Sequence, residues 1–152
     1  GDKIKIYPEG RETKITEVAY WLEKDKAELL KSSVIVTGAV PYLSIPSYLK
    51  LGDIAVAPSV CDDAFPTTVL EAQAVGLPII TTRRGGIPEE VSEANAILLE
   101  TDDHLPNKLA SAILYLYQNP EKCVSMRNAS IERSRKFSST EFSRNFLEAI
   151  KI

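Results

Sequence analysis

Two carboxylates, Asp63 and Glu71, stand eight positions apart in "CDDAFPTTVLEA" (61–72). Phe65, Pro66, Thr67 and Thr68 lie between them. The stretch follows an apolar run and opens a helical pattern, so Asp63 falls in a loop and Glu71 one turn into a helix. Two chemistries fit. In one, Thr68-x-x-Glu71 is a capping box in which Glu71 reaches back to a backbone N–H, Pro66 is an ordinary helix-start proline, and Asp62 and Asp63 are solvated. In the other, the helix N-terminus offers free N–H groups and partial positive charge to a phosphate. Glu71 then accepts two hydrogen bonds from a ribose diol, as carboxylates do in dinucleotide folds. Asp63 reaches what lies beyond the phosphates. No G-x-G-x-x-G and no P-loop accompanies the pair, and the residues alone leave both readings open.

The elements that must position this pair alternate. "KIKIYP" (3–8) reads as a strand, and Ile15, Val18, Ala19, Leu22, Ala27 and Leu30 give residues 12–31 a helical spacing. "VIVTG" (34–38), "IAVAP" (54–58), "PIITT" (78–82) and "AILL" (96–99) are short apolar runs that read as buried strands. Between them come a short helix at 45–51, a helix at 67–75 closed by Gly76, and a Gly85-Gly86 turn. That turn feeds a helix start at Pro88-Glu89-Glu90, where proline and acids suit the first turn. Three helices close the chain. Leu105, Leu109, Ile113 and Leu116 form the stripe of the first, Asn119-Pro120-Glu121 starts a weakly amphipathic second, and Ser138-x-x-Glu141 caps a third carrying Phe142, Phe146 and Ile150. Apolar strands alternating with helices predict a Rossmann-like α/β domain, a parallel sheet with helices on both faces. Such sheets bind ligands at the carboxyl ends of their strands. That directs attention to Gly38–Val40, Ser59–Thr68 and Arg83–Glu89.

Composition removes other classes. The 152 residues, 44% hydrophobic and 26% charged, fit one globular domain. A formal charge of −3 argues against nucleic acid as a partner. No run approaches the roughly 18 apolar residues of a membrane span, and no signal peptide is expected at the start of the chain. Cys61 and Cys123 lack metal-type spacing and point to a reducing cytoplasm. His104 is the sole histidine, so a Ser-His-Asp triad or a histidine-rich metal site is not expected. Arg83 and Arg84 read as solvated loop cations, Cys123 as helix packing and His104 as a surface residue.

The stretch "IAVAPSVCDDAFPTTVLEAQAVGLPIITTRRGGIPEEV" resembles the C-terminal domain of GT-B retaining glycosyltransferases of family four, the glycosyl transferases group 1. Asp53, Pro58-Ser59, Phe65, Glu71-Ala72, Gly76-Leu77-Pro78, Gly85-Gly86, Pro88 and Glu89 fall in register with the family pattern. "VIVTGAV" and "FSSTEFSRNFLEA" match its upstream strand–loop and its closing segment, so the likeness covers nearly the whole chain. The resemblance implies that Glu71 binds the donor's ribose hydroxyls and that Asp63 contacts the donor sugar. It sets the backbone around Ser59, Phe65, Pro66, Thr67 and Thr68 near sugar and diphosphate, and Gly38, Ala39 and Val40 near the base. It implies metal-independent chemistry without a cofactor, the nucleotide-diphospho-sugar being the substrate.

Departures from the pattern are equally specific. Asp63 replaces the usual glutamate, Pro66 replaces a glycine and has no N–H to give, and "SEANAILLE" lacks the usual glycine before its strand. Residues 1–152 read as one nucleotide-sugar-binding domain without the family's first strand–helix unit, its "GR…KG" segment or its N-terminal acceptor domain. The chain is therefore expected to be a fragment, inactive alone, of an enzyme moving a hexose to a glycan, lipid or small-molecule hydroxyl. Its expected partners are the donor and the missing acceptor domain, with peripheral membrane association open to the full protein. The rival readings are a GT-B sugar-nucleotide epimerase and a non-catalytic partner-binding module.

Overall fold

The computed structural model describes residues 3–6, 11–14 and 38–150 of the chain. They divide into two compact units, Gly1–Ser44 and Ile45–Ile152. In the first, strand β1 (Lys3–Ile6) pairs antiparallel with β2 (Arg11–Lys14), with Ile4 opposite Thr13 and Lys5 opposite Glu12. This corrects two expectations. Residues 12–14 are strand and not the start of a helix, and this pairing is antiparallel. The rest of the expected helix and the strand expected at 34–37 lie outside the described residues. Gly38 itself is not in a strand. Gly38 and Ala39 are exposed and Val40 is half-buried.

The second unit carries helix α1 (Ile45–Leu49), strand β3 (Ala55–Ala57), helix α2 (Thr67–Ala74), strand β4 (Ile79–Thr82) and the one-turn helix α3 (Ile87–Glu90). Strand β5 (Ala96–Leu99) and helices α4 (Leu105–Gln118), α5 (Pro120–Ser134) and α6 (Ser139–Ala149) follow. The strands form a parallel sheet in the order β3-β4-β5, with Ile80 opposite both Val56 and Ile97. β4 is central and buried at every position, which explains why it reads as a continuous apolar run rather than an alternating one.

Consecutive residues of β4 face opposite layers, as the strand period requires. Ile79 packs with Val69, Ala72, Leu77, Ile87 and Val91 on one face, and Ile80 with Ala112, Leu116 and Met126 on the other. Helices thus cover both faces. The buried seam of α4 is Ala112 and Leu116, with Leu109 half-buried against it, while Ile113 sits at the edge, 37% exposed. α5, despite its weak amphipathicity, buries Met126 and Ser130. It passes so close to the α2–β4 turn that a Cβ at Gly76 (φ +81°) would stand 3.0 Å from Ile131. Asn95 ties the layers together from the turn before β5. Its Oδ1 accepts from the Ser92 N–H at 2.8 Å, and its Nδ2 donates to Gln73 Oε1 at 3.4 Å. Ser138 Oγ accepts the Glu141 N–H at 3.3 Å, one half of the expected capping box. Phe142 and Phe146 stack on an exposed face of α6. Among the described residues no helix is long and apolar enough to cross a membrane.

Candidate functional site

A cavity of about 330 Å³ opens at the carboxyl end of β3, against the N-terminus of α2. Ser59, Asp63, Pro66 and Thr68 line it, with the buried Val69 and Ile87 behind them. β4 holds the strand end in place. Thr81 Oγ1 donates to the Ala57 carbonyl at 2.8 Å and Thr82 Oγ1 to the Ser59 carbonyl at 2.6 Å. These two buried threonines are not among the expected site residues. Their signal is only that a hydroxyl in a buried strand must find an acceptor.

The loop from Ser59 to Pro66 is fastened at several points. Asp63 Oδ1 accepts the Phe65 N–H at 3.0 Å, and the Asp63 carbonyl accepts the Gly86 N–H at 2.8 Å. A Cβ on Gly85 would lie 2.1 Å from the Asp63 carbonyl oxygen, and one on Gly86 1.8 Å from that of Ala64. The Gly85-Gly86 turn is therefore the seat of the Asp63 loop, and this close approach is what both glycines permit. Phe65 meets Phe137 edge-on at 5.4 Å, and the Arg133 guanidinium lies 5.6 Å above the Phe137 ring. Phe137 and Arg133 come from the far end of the chain, so no local pattern announces them.

α2 carries Pro66 at its N-cap, no side-chain cap and no acid in its first turn. The capping-box reading of Thr68 and Glu71 is not what forms, because Thr68 lies inside the helix. Glu71 is half-buried and lines a second cavity of about 430 Å³, with Leu70, Ala74, Arg135 and Phe137. The two carboxylates therefore line different cavities. Thr67 and Phe65 are exposed beside the first cavity's lining, and Gly38, Ala39 and Val40 belong to the other unit.

The basic residues divide. Arg83 pairs with Glu100 at 2.9 Å, beyond the end of β5. Arg84 reaches Asp62 at 3.9 Å, while its Nε is buried without a partner. Cys61 is exposed, Cys123 donates to the Leu116 carbonyl at 3.3 Å in helix packing, and His104 is on the surface. Among the described residues no cluster of three His, Cys, Asp or Glu side chains could hold a metal ion. Glu90, read from the sequence as a helix-dipole acid, is instead fully buried, and neither carboxyl oxygen has a partner. Burial first, then the charge of Asp63, pushes its pKa up to about 7.

The family model for glycosyl transferases group 1 matches residues 5–119. D-inositol 3-phosphate glycosyltransferase of Corynebacterium glutamicum is 34% identical over 98 residues, covering 64% of this chain and 23% of that protein. Sucrose-phosphate synthase 4 of Arabidopsis thaliana is 34% identical over 89 residues, covering 59% of this chain and 8% of that protein. The chain thus spans less than a quarter of the length of these curated relatives. Among solved structures, Anabaena Alr3699/HepE in complex with UDP-glucose superposes with a TM-score of 0.69 at 17% identity, over 84% of this chain and 36% of that one. At that identity the likeness is one of fold, and it agrees with the Rossmann-like α/β architecture expected from the sequence.

Proposed function

The chain belongs to the glycosyl transferases group 1 family, and from that premise we propose that it binds the nucleotide-diphospho-sugar donor of a retaining glycosyltransferase. The enzyme moves a hexose to a hydroxyl of a glycan, lipid or small molecule. The observation that carries this reading is the N-terminus of α2. It has neither a side-chain cap nor an acid in its first turn, and it faces a cavity at the carboxyl edge of a parallel sheet. Unbonded amides and the dipole there suit a diphosphate.

In this reading Thr67 and Thr68 present their amides to the phosphates, and Pro66, lacking an N–H, shapes the entry. Asp63 spends Oδ1 on the Phe65 N–H and offers Oδ2 to a sugar hydroxyl. Glu71, which lines the second cavity, holds the ribose. As the anomeric C–O bond breaks, the departing diphosphate gains charge that the helix terminus stabilises without a metal ion. The attacking hydroxyl belongs to an acceptor held elsewhere in the enzyme, so the chain alone transfers no sugar.

The test is a thermal-shift screen across UDP-, GDP- and ADP-sugars, since a ligand of the native state raises stability by RT ln(1 + [L]/Kd). Asp63→Ala then separates the two ends of the donor. It weakens the stabilising nucleotide-sugar while leaving the matching nucleoside diphosphate nearly unaffected. Equal loss of both assigns Asp63 to loop ordering alone, and no shift with any donor removes the binding reading.

A further inference from the structure

We propose that the buried carboxyl of Glu90 is a positioning residue for the sugar end of the donor cavity, setting through the Gly85-Gly86 turn how firmly Asp63 is held, and only while uncharged. The inference rests on the donor-binding reading of that cavity.

Three observations converge on it. Glu90 has no solvent-exposed surface, and neither Oε1 nor Oε2 has a hydrogen-bond partner. A carboxylate so placed is an uncompensated buried charge, and the acid avoids that cost by keeping its proton. The charged groups around it offer no compensation. Asp63, from the loop, has the same sign and raises the pKa further. Arg133, from α5, donates through Nε to the Glu90 carbonyl at 3.0 Å and through Nη2 to the Glu89 carbonyl, so its bonds go to backbone and not to the carboxyl. Arg84, in the preceding turn, is directed to Asp62, and Glu89 is exposed.

The third observation is mechanical. α3 starts at the turn whose Gly86 N–H holds the Asp63 carbonyl and whose two glycines leave no space against Asp63 and Ala64. Glu90 is one helical turn beyond Gly86. When it loses its proton to solvent, the new charge must move toward water, and α3 and its turn move with it. The Asp63 loop then loses its seat. Thr67 and Thr68 at the phosphates are held by α2 and stay in place. Deprotonation therefore weakens the grip on sugar more than the grip on diphosphate. With its pKa at about 7, the change falls at neutral pH.

The experiment is an NMR titration of the 152-residue chain, paired with calorimetry using UDP and UDP-glucose as probes. In wild type, the amide resonances of Asp63, Ala64, Phe65 and Gly86 move together with a midpoint near 7. The affinity for UDP-glucose relative to UDP falls several-fold between about pH 6 and about pH 8. Glu90→Gln, a neutral isostere, abolishes both changes and keeps the low-pH values throughout. Glu90→Met, apolar and of similar volume, does the same should the amide disturb folding. A titration that persists unchanged in both variants, or loop resonances that do not move in wild type, overturns the proposal. So does a moving loop with a constant affinity ratio. Binding of neither probe, with no stabilisation by GDP- or ADP-sugars either, removes the donor-binding reading, and the resonance titration still decides whether Glu90 controls the loop.

Discussion

α2 and α3 stand at equivalent junctions, each following a parallel strand of one sheet with proline at its start, yet their first turns differ in charge. α2 has Pro66 at its cap and no acid in its first turn; α3 has Gly86 at its cap and carries Glu89 and Glu90. A helix N-terminus supplied with a carboxylate, as α3 is by the exposed Glu89, has its partial positive charge answered from within, whereas an empty one attracts an external anion. α3 is also a single turn whose entry is packed under the Asp63 loop. The difference teaches a division of labour. In the proposed donor site α2 is the anion-facing end, and α3 is the buttress that holds the loop beside it. Topology alone makes both candidates, and charge with packing decides between them.

The largest effect is expected from breaking the buttress. Gly86→Ala puts a Cβ 1.8 Å from the Ala64 carbonyl oxygen, and backbone on both sides must shift. We expect a loss of about 3 kcal/mol or more, in the range reserved for overpacking against unyielding groups, together with loss of donor binding. Urea denaturation measures the first and calorimetry the second. A variant as stable as wild type removes α3 from the buttress role.

Next is the buried acid of α3. Its pKa is pushed from 4.5 up to about 7, so the native state holds a proton that the unfolded chain has released. The stability it contributes is full below about pH 4.5 and is lost as pH rises through about 7, by at most about 3 kcal/mol. Glu90→Met removes this loss. At about pH 8 the variant is expected to be more stable than wild type by about 1–3 kcal/mol, and the gap closes toward acid pH. Denaturation midpoints across that range test the sign, and a gap independent of pH denies the buried titration.

The contrast between these helices also shows what the sequence can disclose. β4, β5 and α2 are legible because continuous apolar runs between glycine and proline signals leave few alternatives. The carboxyl-edge placement of Ser59, Asp63 and Thr68 follows from that topology. Residues Arg11–Lys14 mislead because the spacing that begins at Ile15 extends backwards smoothly, while strand pairing with Lys3–Ile6 depends on a partner outside the window. Glu90 misleads for a related reason. Its neighbours Pro88 and Glu89 make it look like a solvated first-turn acid, and only the docking of α3 against the sheet and α5 buries it. The Phe65–Phe137 contact joins segments that no periodicity relates. Local pattern carries the elements; the packing that turns a loop into a seat is non-local.

On the α2 side, Glu71→Gln is expected to weaken the nucleoside diphosphate and the nucleotide-sugar alike, because hydrogen bonds to a charged group contribute about 1.5–3 kcal/mol, which is about 10- to 100-fold in affinity. The melting temperature should scarcely change, since Glu71 makes no cap. Unchanged affinity in a calorimetric titration returns Glu71 to the role of a half-buried surface acid.

The smallest effect on stability, and the sharpest on the comparison, comes from giving α2 the charge pattern of α3. Thr68 is exposed, lines the cavity and lies in the first turn of α2. Thr68→Glu supplies the acid which that turn lacks. Considered only as a helix, α2 gains, because a carboxylate near the N-terminus contributes about 0.3–1 kcal/mol. Considered as an anion site, it loses, because the new charge faces the incoming diphosphate with the same sign. Stability and affinity should therefore move in opposite directions, with a slightly higher melting temperature and nucleoside diphosphate binding at least about tenfold weaker. Thr68→Gln, similar in length but neutral, separates charge from bulk and should keep most of the affinity. Equal losses in the two variants would mean that shape and not charge excludes the ligand, and the electrostatic distinction between α2 and α3 would then have no part in choosing the site.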